Sequence, residues 1–158
     1  MGQKTRGEVE PLNRQLLVAF ALSNRAMQAR TREAGLLPGQ PKVLEHLVGH
    51  EGCPQGDIAR ACVMDKSTVT SVLSRMEGAG LVERRADPDD RRTVLVRLTD
   101  EGRAAARTVL GYRAQVNERA WGGMPAADRV RLSELLDVVI RNLSDPEACE
   151  ERDGGEAS

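Results

Sequence analysis

Residues 55–98, QGDIARACVMDKSTVTSVLSRMEGAGLVERRADPDDRRTVLVRL, decide how this chain is read, because the periodicity of their apolar positions changes within them. Gln55–Cys62 places Ile58, Ala59 and Cys62 at helical spacing, which predicts a short helix. After a brief turn, Asp65 stands as an N-cap, its carboxylate suited to accept from the free amides of Ser67 or Thr68. Beyond it, at about 100° per residue, Val69, Val72, Leu73 and Met76 fall in one narrow stripe. Ser67, Ser71 and Ser74 fall opposite, with Thr68, Thr70 and Arg75 on the flanks. This helix is expected to end near Gly78–Gly80, where glycine accepts the left-handed exit conformation. From Leu81 the period becomes two. Leu81–Arg85 and Thr93–Leu98 read as strands, Val94, Val96 and Leu98 alternating with Leu95 and Arg97. Asp87–Pro88 supplies the turn signal within Ala86–Arg92, so the pair predicts one β-hairpin with a long charged tip.

Working outward, a long helix is expected from Pro11 to Glu33, with Leu12, Leu16, Leu17, Phe20, Ala21 and Met27 on its apolar side and Gly35 and Pro38 as stop signals. Pro38–Gly39 opens a shorter helix carrying Val43, Leu44, Leu47 and Val48, followed by a loop at His50–Pro54. Downstream, Thr99 caps a helix over about Asp100–Arg119, which Gly122–Gly123 ends. A last helix over about Ala126–Leu143 repeats Leu132, Leu135, Leu136, Val139, Ile140 and Leu143. The fold class is therefore mainly α with a small β-wing. A winged helix-turn-helix lobe over 36–99 is flanked by long terminal helices at 11–35 and 100–143. Residues 1–10 are expected to be a flexible N-terminus, and 144–158 an acidic disordered tail.

A chain of 158 residues fits one domain with a real core. Aromatics make up 2% of it (Phe20, Tyr112 and Trp121), so that core must be aliphatic. Net charge is −1, but residues 145–158 hold six acids against Arg152 alone, which leaves the body at +4. A mildly basic body does not demand a nucleic-acid partner; it removes the objection to one. The apolar run Leu16–Leu22 is too short to span a bilayer and lacks the flanks of a signal peptide, so a cytoplasmic protein is expected. Cys53, Cys62 and Cys149 form no CxxC pair, and the two histidines join no cluster of ligands, so no metal and no cofactor are expected. No nucleophile motif, phosphate loop or paired carboxylates are present, and an enzyme is not expected.

The exposed face of the 65–78 helix combines small hydroxyls with Lys66 and Arg75, which suits close approach to a major groove, the bases reaching phosphates or guanine edges. Taken alone, a solvated surface helix fits it equally well. At the hairpin tip, Arg91 or Arg92 suits the negative potential of a minor groove, with Asp90 or Asp87 bracing the guanidinium. An exposed charged turn, whose single salt bridges are worth little, is the competing reading.

The run from Leu37-Pro38-Gly39-Gln40 through "DIARACVMDKSTVTSVLSRMEGAGLVERR", the wing "DPDDRRTVLVRLT" and Asp100-Glu101-Gly102 resembles the MarR family of bacterial winged-helix regulators. The resemblance spans about residues 12–143, and the wing with its LT-x-E-G sequel is its most specific part. It implies a homodimer interlocked through the first and last helices, bound to a pseudo-palindromic double-stranded operator. It also implies a sequence-specific transcriptional regulator, a repressor released by a small lipophilic or phenolic effector. By position it makes Lys66, Ser67, Thr68, Thr70, Ser71, Ser74 and Arg75 groove-facing and Arg92 the wing arginine, with Asp90 as its partner and Arg91 beside it. The chain departs from the family in lacking a hydroxyl cap at Leu37-Pro38 and at Met124-Pro125. It also lacks the early cysteine of the peroxide-sensing branch.

An effector site is expected where the terminal helices meet the lobe, with Phe20, His46 and Tyr112 as candidates. A winged-helix module that binds protein instead of DNA is the alternative; it predicts that reversing charge at Arg75 or Arg92 leaves activity intact.

Overall fold

A computed structural model describes residues 10–88, 90 and 92–144. The elements run α1 (Leu12–Glu33), α2 (Gln40–Gly49), β1 (Cys53–Pro54), α3 (Gln55–Ala61), α4 (Lys66–Gly78), β2 (Val82–Ala86), β3 (Val94–Leu98), α5 (Asp100–Ala120) and α6 (Ala126–Ser144). The flexible segment expected at 1–10 and the acidic tail expected at 144–158 lie, apart from Glu10 and Ser144, outside the described residues.

The chain divides into two units, one ending at Asn117 and one beginning at Glu118. The core of the first is the convergence of the stripes read above. Val43, Leu44 and Leu47 of α2 meet Ile58 and Cys62, the α4 stripe Val69, Val72, Leu73 and Met76, and Val82, Val96, Leu98, Ala106 and Val109. Burying four aliphatic side chains of α4 at roughly 1.5–3 kcal/mol each orients that helix and turns its hydroxyl face outward.

The hairpin expectation needs one correction. The segment expected as a loop supplies a third strand, and the antiparallel sheet runs β1-β3-β2. Cys53 pairs with Val96 and Pro54 with Leu95, while the Gly52 amide donates to the Val96 carbonyl at 2.9 Å. A strand of two residues has no alternation to read, and Pro54 argues against one in sequence. Its effect is to tie the wing strand β3 to the start of α3.

Two turns set the angles of the helices. Val63, between α3 and α4, holds φ at +52°, a left-handed conformation that costs a β-branched residue about 1–2 kcal/mol. At the start of α5 the Thr99 hydroxyl caps the Gly102 amide at 2.9 Å and donates to the Gly80 carbonyl. A Cβ on Gly102 would lie 1.9 Å from the Leu81 carbonyl oxygen, so only glycine lets α5 start against the strand entry. That contact gives the LT-x-E-G sequence its physical reason.

In the second unit, Arg129 closes the turn before α6, its Nε donating to the Met124 carbonyl at 2.9 Å. α6 has no buried residue, and Val130, Ile140 and Leu143 are exposed. The apolar side chains Leu12, Leu17, Phe20 and Leu22 of α1 are exposed as well. Among the described residues no helix is long and apolar enough to cross a membrane.

Candidate nucleic-acid interface

Asp65 organises the first turn of α4. Its Oδ1 accepts from the Thr68 amide at 2.7 Å and from the Ser67 hydroxyl at 2.6 Å, and its Oδ2 accepts from the Thr68 hydroxyl at 2.7 Å. Those donors, Ser67's hydroxyl foremost and then Thr68's, hold the carboxyl well below the usual carboxylate range. An ionised carboxylate only accepts, so the Ser67 and Thr68 hydroxyl protons are committed inward and their lone pairs face solvent. Thr70 is committed twice, donating to the Lys66 carbonyl and accepting from Gln55 Nε2, both at 2.7 Å. The hydroxyls that look interchangeable in sequence therefore differ in what they can offer a partner.

The expected groove set sits together. Lys66, Ser67, Thr68, Thr70, Ser71, Ser74 and Arg75 are all exposed on α4, opposite its buried stripe. Arg75 Nε donates to the Ser71 carbonyl at 3.3 Å, which lays its stem along the helix. Lys66 and Val69 share a cleft of about 490 Å³ with Gln55 and Ala59 of α3 and with Arg92 and Thr93 of the wing. Two cations from separate elements thus wall one open concavity.

At the wing tip the Asp87 amide donates to the Thr93 carbonyl at 2.9 Å, and the Thr93 amide to the Asp90 carbonyl at 2.8 Å. The expectation that Asp90 braces a guanidinium is corrected for Arg92. The Asp90 carboxylate accepts from the Arg92 backbone amide at 3.0 Å and the Thr93 hydroxyl at 2.8 Å. These donors hold it below the ordinary carboxylate range, the Arg92 amide contributing most. Asp90 braces the turn that presents Arg92, because an amide two residues on and a hydroxyl three residues on lie closer than a long side chain's end. Arg91 lies outside the described residues.

Three contributors are not evident in the sequence. Arg84 of β2 reaches back to the end of α4, Nε donating to Glu77 Oε2 at 2.9 Å and Nη2 approaching the Ser74 hydroxyl at 3.4 Å. Arg84 and Glu77 join wing to helix, and Gln55 joins α3 to α4. A seven-residue spacing across the tight Gly78–Gly80 turn was the available signal for the first pair. For Gln55 there was none.

A second concavity, of about 220 Å³, is lined by α1, α2, the segment between them and Arg113 of α5. Of the three effector candidates, Phe20 lines it, with Lys42 Nζ 5.6 Å from its ring centre. Tyr112 and His46 are not among its lining residues. His46 stacks on His50 with ring centres 4.5 Å apart, and its Nε2 is buried without a partner. Burial first, and the charge of His50 second, push its pKa down. Gln40 compensates for the missing hydroxyl cap of α2: its buried side chain accepts from the Leu37 amide at 2.9 Å and pins the entry turn. Among the described residues no group of three His, Cys, Asp or Glu side chains could hold a metal ion.

A model of the MarR family matches residues 34–93. The repressor NicR of Pseudomonas putida is 31% identical over 91 residues, and the chain spans 58% of that relative's length and 58% of its own. The transcriptional regulator HosA of Escherichia coli O111:H- is 30% identical over 104 residues, 66% of this chain and 74% of the relative. Bordetella bronchiseptica BpsR, whose DNA binding is regulated by 6-hydroxynicotinic acid, has a solved structure that superposes with a TM-score of 0.74. The two are 30% identical, over 90% of this chain and 99% of that one. The lobe, the wing and these likenesses agree, and the chain belongs to the MarR family of transcriptional regulators.

Proposed function

We propose that the chain is a sequence-specific regulator of transcription that binds a pseudo-palindromic double-stranded operator as a homodimer and represses until a small lipophilic or phenolic effector releases it. The observation that carries this reading is the exposed α4 face with Lys66 and Arg92 walling one cleft beside it. A helix so oriented suits a major groove, with Ser67, Thr68, Thr70, Ser71, Ser74 and Arg75 toward base edges and Lys66 toward a phosphate. Arg92, presented by Asp90 and flanked by Arg91, falls to the adjacent backbone or minor groove. The exposed apolar stripes of residues 11–35 and 100–143 supply the dimer contact, which spaces two recognition helices roughly 34–36 Å apart. The effector belongs in the cavity beside Phe20, and the regulation of BpsR by a small ring acid supports that assignment.

Selection of bound duplexes from a random pool tests the reading. An inverted repeat with half-sites about one helical turn apart is expected. No enrichment, together with activity that survives charge reversal at Arg75 and Arg92, would instead mark the lobe as a protein-binding module.

A further inference from the structure

A serine or threonine hydroxyl has one proton to give and two lone pairs to offer, so it can meet either a donor or an acceptor on a base edge. On α4 that freedom is removed at two positions. Asp65 Oδ1 accepts from the Ser67 hydroxyl at 2.6 Å, and Oδ2 accepts from the Thr68 hydroxyl at 2.7 Å. The same Oδ1 also caps the Thr68 amide. Ser67 and Thr68 are exposed on the face opposite the buried stripe, so what they show outward is lone pairs. Their donors hold the Asp65 carboxyl well below the usual carboxylate range, Ser67's hydroxyl first, so this polarity persists at neutral pH.

We propose that Asp65 is a positioning residue that makes Ser67 and Thr68 acceptors only, so that the first turn of α4 reads exocyclic amines, adenine N6 or cytosine N4. The proposal rests on the reading of α4 as the helix that enters a major groove and adds the class of base edge taken there. Phosphate oxygens, purine N7, guanine O6 and thymine O4 all accept, and none can pair with a lone pair. The common role of such hydroxyls, donating to a phosphate, is therefore closed to this pair and falls to Lys66. Each base pair carries one such amine, at a place in the groove that depends on the pair and its orientation, so the discrimination is positional.

The neighbouring side chains complete a division of labour. Thr70 gives its proton to the Lys66 carbonyl and takes one from Gln55 Nε2, both at 2.7 Å. Its methyl is what it chiefly has left, and that suits a thymine methyl. Guanine acceptors fall to the Arg75 guanidinium, which lies on the same exposed face.

The test is fluorescence anisotropy of the full chain on duplexes selected by it from a random pool, with single functional groups deleted from the bases. Ser67→Ala and Thr68→Val first identify the pairs whose preference each hydroxyl sets. At those pairs, replacing adenine by purine or cytosine by pyrimidin-2-one removes the amine and should weaken binding about three- to tenfold. Replacing a purine by its 7-deaza analogue should change it less than about twofold. The cost of losing the amine should vanish in the variant that lacks the matching hydroxyl, a cycle that cancels any weakening of the duplex itself. Asp65→Asn keeps the cap on the Thr68 amide, but an amide group in place of Oδ2 donates to the Thr68 hydroxyl and turns its proton outward. At the Thr68 pair alone, sensitivity should then pass from the amine to the acceptors, while the Ser67 pair keeps its preference. A loss of stability by itself would weaken all duplexes equally. Pairs that depend on N7 more than on the amine, no pair that responds to either hydroxyl, or an Asp65→Asn chain with unchanged preferences would overturn the proposal. The base deletions stand on the unmodified chain even where a variant folds poorly. Failure of the regulator reading appears separately, as a pool from which no duplex is enriched.

Discussion

The lobe around α4 and the helices α1 and α6 differ in where their apolar side chains go. Val43, Leu44, Leu47, Ile58, Leu73, Met76 and Val96 are fully buried by neighbours within the same chain. α6 carries a comparable apolar repeat and buries no residue, and Thr31 is the one residue of α1 that is buried. A lobe that satisfies its own core can hold a recognition surface rigidly. Helices that do not satisfy theirs are suited to a contact outside the chain, and the proposed dimer gives them one.

The comparison breaks first at the core. Leu73→Ala should cost about 2–5 kcal/mol in urea unfolding at fixed chain concentration, because its neighbours cannot collapse on the cavity. Ile140→Asp should leave the unfolding of a dilute single chain within about 0.5 kcal/mol while weakening self-association at least tenfold by sedimentation. An equal loss of stability from both changes would mean that α6 has its partner within the chain.

Within the lobe, Asp65→Ala should cost about 1 kcal/mol of thermal stability through loss of the cap. It also frees the Ser67 and Thr68 hydroxyl protons, so the preferred duplexes should change as well. Val63→Asn should raise stability by about 0.5–1 kcal/mol, since asparagine tolerates the left-handed φ that valine resists. The smallest effect is expected at His46. Its pKa is pushed down on folding, so the unfolded chain takes up the proton first. The resulting stability is complete above the ordinary histidine range near pH 6.5 and is lost as pH falls below it. Melting between pH 7.5 and 5 should show this slope, and His46→Leu should flatten it.

The contrast also explains what could be read without coordinates. Val69, Val72, Leu73 and Met76 were legible because burial imposes a period that the residues must obey. Asp65 was legible because an N-cap needs an acceptor at one position. β1 was not, since two residues carry no period. The Asp90 contact with the Arg92 amide was not legible, because a carboxylate beside arginines fits a guanidinium and a backbone amide equally well in sequence. The Arg84–Glu77 link left a seven-residue spacing across the turn as its signal, whereas Gln55–Thr70 depends on the angle between elements, which spacing does not encode. Phe20 could be named for the cavity, but Glu45 and Arg113 lie 68 residues apart and meet only in three dimensions.

The central claim is that the lobe meets a duplex through α4 and the wing. Fluorescence anisotropy of the unliganded chain on a selected duplex, titrated from about 50 to 200 mM salt, tests it most directly. The expected result is a linear fall of log affinity with log salt, a slope made shallower by about one for Arg92→Ala on every sequence, and altered site preference for Arg75→Ala. Affinity that stays flat across that range, or is indifferent to both substitutions, would contradict it.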